Sequence, residues 1–231
     1  MNQPLTDGFL NLPYTKMVWI APDSFLFQEG KRETKRITFE KGFWASCYPV
    51  TQELYERVMG ENPSHFRGKQ RPVETVSWDD AQAFLEKLNQ QVKLGDGLQF
   101  RLPSEAMWEY VARAKQPHAY SGSEELAEVG WYRNNSYGQT MPVSLKEPNS
   151  FGLYDLSGNV WEWCADAYEQ DCSIRNIPSN GLPYLSDMIK ERSLRGGSFF
   201  YSLDCFLSVV SFRCWNDFRD DLIIGFRVFR Y

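Results

Sequence analysis

Arg195-Gly196-Gly197-Ser198 and Gly225-Phe226-Arg227 bracket the stretch FFYSLDCFLSVVSFRCWNDFRDDLII, residues 199–224. These 26 residues contain no Lys, Glu, Gln or Met, whereas residues 1–198 contain 10 Lys, 17 Glu, 11 Gln and 6 Met. At the rate of the preceding chain, about six would be expected in a stretch of this length. A segment so aromatic and so biased is either buried core or a surface built to bind something.

The rest of the composition narrows the choice. The 231 residues suffice for one large domain or two small ones. Hydrophobic content of 42% and eight Trp indicate a real core, one that must also satisfy indole N–H groups. The net charge of −5 argues against nucleic acid as a partner, because phosphate binding needs a basic face. No apolar run approaches the ~20 residues of a membrane span. No basic region followed by an apolar stretch opens the chain, so the expected location is the cytoplasm, with surface display through a partner left open.

Five Cys, at 47, 164, 172, 205 and 214, form no CxxC, so neither a zinc ribbon nor a disulfide scaffold is indicated. Free buried thiols are the default, and a Cys164–Cys172 or Cys205–Cys214 bridge would require an oxidising compartment. With only His65 and His118, iron sites built on two or three His, and His-based zinc catalysis, are excluded.

Three helices are predicted. One follows Thr51 as N-cap and stops at Gly60. The second starts at Ser77, with a capping box to Asp80 and an apolar stripe of Ala81, Phe84, Leu85 and Leu88. The third follows Ser104, with Met107, Tyr110, Val111 and Ala114 on one side. Strands are predicted at 17–20, 36–39, 43–46 and 226–229, and little regular structure between about 115 and 195. So long a loop region needs pins, for which buried Trp and a bound cation are candidates.

Eight motifs in order then point to a family. They are Met17-Val18-Trp19-Ile20, Tyr48-Pro49-Val50-Thr51, Pro72-Val73-Glu74-Thr75-Val76-Ser77-Trp78, and Phe100-Arg101-Leu102-Pro103-Ser104-Glu105-Ala106 with Trp108-Glu109-Tyr110. Asn149-Ser150-Phe151-Gly152-Leu153-Tyr154-Asp155, Gly158-Asn159-Val160-Trp161-Glu162-Trp163 and the two bracketing motifs complete the set. The chain resembles the formylglycine-generating-enzyme-like domain, also called the sulfatase-modifying factor domain. The resemblance implies an α+β, C-type lectin-like fold with long loops over residues 17–231, and an N-terminal extension at 1–16.

Asp155 and Glu162, with the main-chain carbonyls of Gly158 and Val160, would form a hard oxygen set suited to calcium, the alternative being that the two carboxylates cap loop N–H groups. By resemblance these four positions match one family calcium site. The family's second calcium site is not expected, because residues 130–136 lack the acidic loop. The family's enzymes oxidise a substrate cysteine with copper held by two Cys, three and eight residues after the Ser of Gly-Gly-Ser. Those positions are Tyr201 and Phe206 here. Neither supplies the thiolate that Cu(I) needs, so no copper is expected. Cys205 is one residue from the second position, which on a strand is the opposite face.

Segment 199–224 is also similar to the variable proteins of diversity-generating retroelements, which randomise adenines, largely in Asn codons of the AAY type. Such codons cannot become Lys, Glu, Gln, Met or Trp, and within the segment only Trp215 lies outside the reachable set. The expected function is therefore a non-catalytic protein that binds a protein or other macromolecule. The expected contacts are Phe200, Tyr201, Ser202, Asp204, Phe206, Leu207, Val209, Phe212, Cys214, Trp215, Asp217, Phe218, Asp220, Leu222 and Ile223. Large rigid rings would supply contact area at low entropy cost, and the Asp residues would supply polar selectivity. Arg213 and Arg219 are expected to pair with buried carboxylates or carbonyls. The alternative is an oxidase or other enzyme with a rearranged site near Tyr201, Cys205, Trp161 and Ser198.

Overall fold

The three long helices form where the caps and stripes predict them. α1 (Gln52–Met59) is capped by the Thr51 hydroxyl and closed by Gly60 in the left-handed conformation. α2 (Trp78–Gln91) carries the full Ser77–Asp80 capping box and buries Ala81, Phe84, Leu85 and Leu88. α3 (Glu105–Arg113) is capped by Ser104, but it is buried almost all round, Glu105 and Glu109 included. The computed structural model describes residues 9–12, 15–29, 33–170, 176–201, 208–216 and 221–231. Among these no helix is long and apolar enough to cross a membrane.

Around the helices lie short strands in three sheets, an α+β arrangement. The hairpin β3 (Asp23–Glu29) and β4 (Glu33–Phe39) forms a sheet of its own, with Phe25 and Phe39 packed on Tyr110 of α3. A five-stranded sheet has the order β1 (Phe9–Leu12), β2 (Thr15–Ile20), β5 (Phe43–Ser46), β11 (Phe229–Arg230), β6 (Phe100–Arg101). β1 lies within the 1–16 stretch expected to be an extension, and it pairs antiparallel with β2. The third sheet, of four strands, has the order β10 (Ile224–Gly225), β7 (Trp161–Ala167), β8 (Arg192–Arg195), β9 (Arg213–Asn216).

One expectation is sharpened and one is corrected. Residues 115–195 hold the one-turn helix α4 (Leu126–Val129) together with β7 and β8, strands of the sheet next to the biased segment. β7 escapes a hydropathy reading because both of its faces are buried: Trp161 and Trp163 enter the core under α1 and α2, while Cys164 enters the core under α3. The strand expected at 226–229 is interrupted. Between β10 and β11 the chain passes from one sheet to the other, with Val50 N–H bonded to Phe226 O and Ser46 N–H bonded to Val228 O. Arg227 lies at the middle of this crossing.

Candidate functional site

The scaffold grips segment 199–224 largely by its main chain. Phe199 N–H donates to Asn159 O at 2.9 Å, and Phe199 O accepts from the Ser136 hydroxyl at 3.2 Å. Tyr201 O accepts from Arg133 N–H, and Val210 N–H donates to Ala119 O, both at 2.9 Å. Arg195 donates to Val210 O at 2.9 Å and Ser211 O at 3.5 Å. β9 pairs along its length with β8, Asp221 O accepts from Thr75 N–H, and Ile223 O accepts from Trp161 N–H. None of these bonds depends on which side chain the segment carries. These main-chain bonds satisfy backbone groups of the segment independently of the side chains it carries.

Most of the described side chains expected as contacts reach solvent. Phe200 is 54% exposed, Trp215 42% and Leu222 38%. Tyr201, Val209, Phe212 and Cys214 are half-buried. Ile223, expected to face a ligand, is only 8% exposed and joins the core with Ile224. Ser202, Asp204, Phe206, Leu207, Asp217, Phe218 and Asp220 lie outside the described residues, as do Cys172, Cys205 and Arg219. A run of rings links the core to the surface, each within about 6.5 Å of the next: Phe66, buried Phe199, exposed Phe200, Tyr201, buried Trp161 and Phe212. Arg133 lies over Phe200. Tyr168 lies beside Trp215 and beneath Arg213. Phe66, Arg133 and Tyr168 come from outside the segment, and nothing in their local sequence marks them.

Behind the face lies a line of buried charges. Arg213 is paired with Glu105 through two bonds, 2.8 and 3.0 Å, as expected for this residue. Arg195 sits 3.7 Å from Glu105 and 2.6 Å from Glu109, and Glu109 also takes Arg113 at 2.8 Å. The signal for these partners was two acidic residues one turn apart on a helix with no solvent face. Of the residues named for a rearranged enzyme site, Cys205 lies outside the described residues. Ser198 and Trp161 are buried, and burial raises the Cys214 thiol, opposite to what a thiolate ligand or nucleophile needs.

Of the four positions expected to hold calcium, Glu162 is already engaged. Its carboxylate accepts from Arg227 at 2.9–3.2 Å and from Trp108 Nε1 at 2.7 Å. Arg227 also donates to Ser46 O at 2.8 Å and Tyr154 O at 2.6 Å. Asp155 differs. It is fully buried, takes one bond from Ser144 N–H at 2.8 Å and a long one from the Asn159 amide at 3.4 Å, and forms no ion pair among the described residues. Burial pushes its carboxyl up to about 6. Gly158 makes the turn between them at φ +101°, where a Cβ would lie 2.3 Å from Trp131 O.

The model of the sulfatase-modifying factor enzyme 1-like domain matches residues 4–231. A chaperone protein, LppX, of Paenibacillus barcinonensis is 30% identical over 197 residues, covering 64% of this chain and 70% of that protein. A formylglycine-generating enzyme of Thermomonospora curvata is 34% identical over 155 residues, covering 60% of this chain but 46% of the enzyme. The match thus spans less than half of that enzyme's length. Among solved structures, Treponema denticola variable protein 1 superposes with a TM-score of 0.81 at 30% identity, covering 93% of this chain and 94% of that one. The fold is thus the C-type lectin-like fold of the formylglycine-generating-enzyme type, and the chain belongs to the sulfatase-modifying factor enzyme 1-like domain family.

Proposed function

We propose that this protein is a non-catalytic binding protein that presents segment 199–224 as a diversified face to a protein or other macromolecule. The observation that carries the reading is the main-chain grip on the segment beneath exposed Phe200 and Trp215. A path held at its backbone can carry many side-chain sets, as a paratope does. The biased residue menu and the likeness to Treponema denticola variable protein 1 support it. Tyr201, at the first copper position, carries a ring that packs on Trp161 rather than a thiolate.

The test is to sequence the coding region for 199–224 and its flanking DNA. A near-copy differing at adenines, close to a reverse transcriptase gene, is the expected result. Flanks with neither would overturn the diversified reading.

We also propose that calcium neutralises Asp155. The site would use the Asp155 carboxylate and the carbonyls of Gly158 and Val160, with Glu162 shared with Arg227. When bound, the ion would supply the positive charge that the buried Asp155 lacks in direct contact. Metal analysis of the purified protein should find about one calcium per chain and no copper, and chelation should lower the melting temperature. A melting temperature indifferent to both chelator and calcium would refute this site.

A further inference from the structure

Among the described residues of the segment, Arg213 is held through its side chain. Its Nε donates to Glu105 Oε2 at 2.8 Å, its Nη2 to Glu105 Oε1 at 3.0 Å, and its Nη1 to Glu169 O at 3.3 Å. The guanidinium lies 5.0 Å from the Tyr168 ring centre, and the side chain is 9% exposed. Glu105 is the first residue of α3 and fully buried. Arg195, a second cation near Glu105 among the described residues, is 3.7 Å away and makes its closer contact with Glu109. A residue without positive charge at 213 would take from a fully buried scaffold carboxylate the partner that donates two bonds to it. Removing one member of such a pair is among the costlier single changes.

Arg213 also opens β9, the edge strand that carries Trp215. Its fork fixes where β9 sits against α3, and so where the Trp215 ring points. Phe199, Val210, Ile223 and Ile224 are buried and hold the segment from beneath.

We propose that the segment is not uniformly free to vary. Arg213 is a fixed positioning residue, acting through Glu105 to set β9, and ligand specificity is carried by Phe200, Tyr201, Phe212, Trp215 and Leu222. The division rests on reading the segment as a displayed face, but its test needs no ligand.

Positions 200, 213, 215 and 222 are randomised one at a time in the full chain. The displayed variants are then selected for protease resistance. Arg should be enriched at least about tenfold at 213, with Lys next, while residue frequencies at 200, 215 and 222 stay within about twofold of input. No enrichment at 213, or retention of Phe200 and Trp215 as strong as that of Arg213, overturns the proposal. Pairing Arg213→Met with Glu105→Gln separates positioning through Glu105 from simple packing. Recovery of protease resistance in the double variant, relative to Arg213→Met alone, supports action through the carboxylate. A double variant no better than the single one refutes it. Flanking DNA without a repeat would sink the functional reading and leave these folding results unchanged, so the two failures are distinguishable.

Discussion

Replacing Arg195 with Met tests how the face is held. The wild-type guanidinium is fully buried, 2.6 Å from Glu109 and 3.7 Å from Glu105, and lies 5.3 Å from the Trp108 ring centre. Met keeps much of the volume and removes every donor. Breaking a buried pair costs about 3–5 kcal/mol. The lower end applies, because Glu109 keeps Arg113 and Glu105 keeps Arg213. The carbonyl of Val210 loses its 2.9 Å partner, and a buried acceptor left unpaired adds about 1 kcal/mol. The sum is about 4 kcal/mol, a large share of the roughly 5–15 kcal/mol that holds a domain together. For a chain of this size it corresponds to a fall in melting temperature of about 8–16 °C. Urea unfolding followed by circular dichroism gives the free energy, and limited proteolysis reports whether residues 208–216 open first. Arg195→Lys should recover about half of the loss, since an ammonium supplies the charge but not the fork. A loss below about 1 kcal/mol, or proteolysis that spares 208–216, would show that the segment is held by something else.

Further outcomes follow from single contacts. Gly158→Ala should cost at least about 2 kcal/mol in urea unfolding, because the position has φ +101° and no room for a Cβ beside Trp131 O. Phe226→Ala, in the core against Tyr55 and Phe84, should cost about 3–5 kcal/mol, whereas Phe200→Ala and Trp215→Ala should stay within about 0.5 kcal/mol while abolishing ligand capture. The Lys115 ammonium, with bonds from Ser24 N–H and the Tyr110 hydroxyl, holds the Asp23 carboxyl down to about 2. Its folded value is thus below the unfolded one of 3.8. The stability it contributes is present above about pH 4 and is lost as pH falls toward 2. The pair is largely open to solvent, so the effect should be well under about 1 kcal/mol, and Asp23→Asn should remove that part of the acid-limb slope.

Caps, stripes and motif order were enough to place α1, α2 and α3 and the family's fold, because each is a local pattern with a local cause. Thr51, Ser77 and Ser104 each bond a backbone N–H within three residues. That Arg213 would pair with buried carboxylates or carbonyls was also legible, since an Arg in an apolar run needs a partner. Which carboxylate was not, for Glu105 lies 108 residues away. β7 was hidden because a strand buried on both faces has no alternation to read. The inward turn of Ile223 was hidden because an Ile in a biased segment looks the same whether it faces a ligand or the core. Glu162 and Arg227 are 65 residues apart, and only their meeting showed that one expected calcium ligand is bound to a guanidinium while Asp155 has no cation in contact among the described residues. The amino-acid sequence by itself determined which segment is unusual and that Tyr201 and Phe206 stand where the resemblance places cysteines, because those are facts of residue identity. The tertiary structure alone decided which side chains of that segment face outward and what grips its main chain, because burial and hydrogen bonding depend on partners distant in the chain.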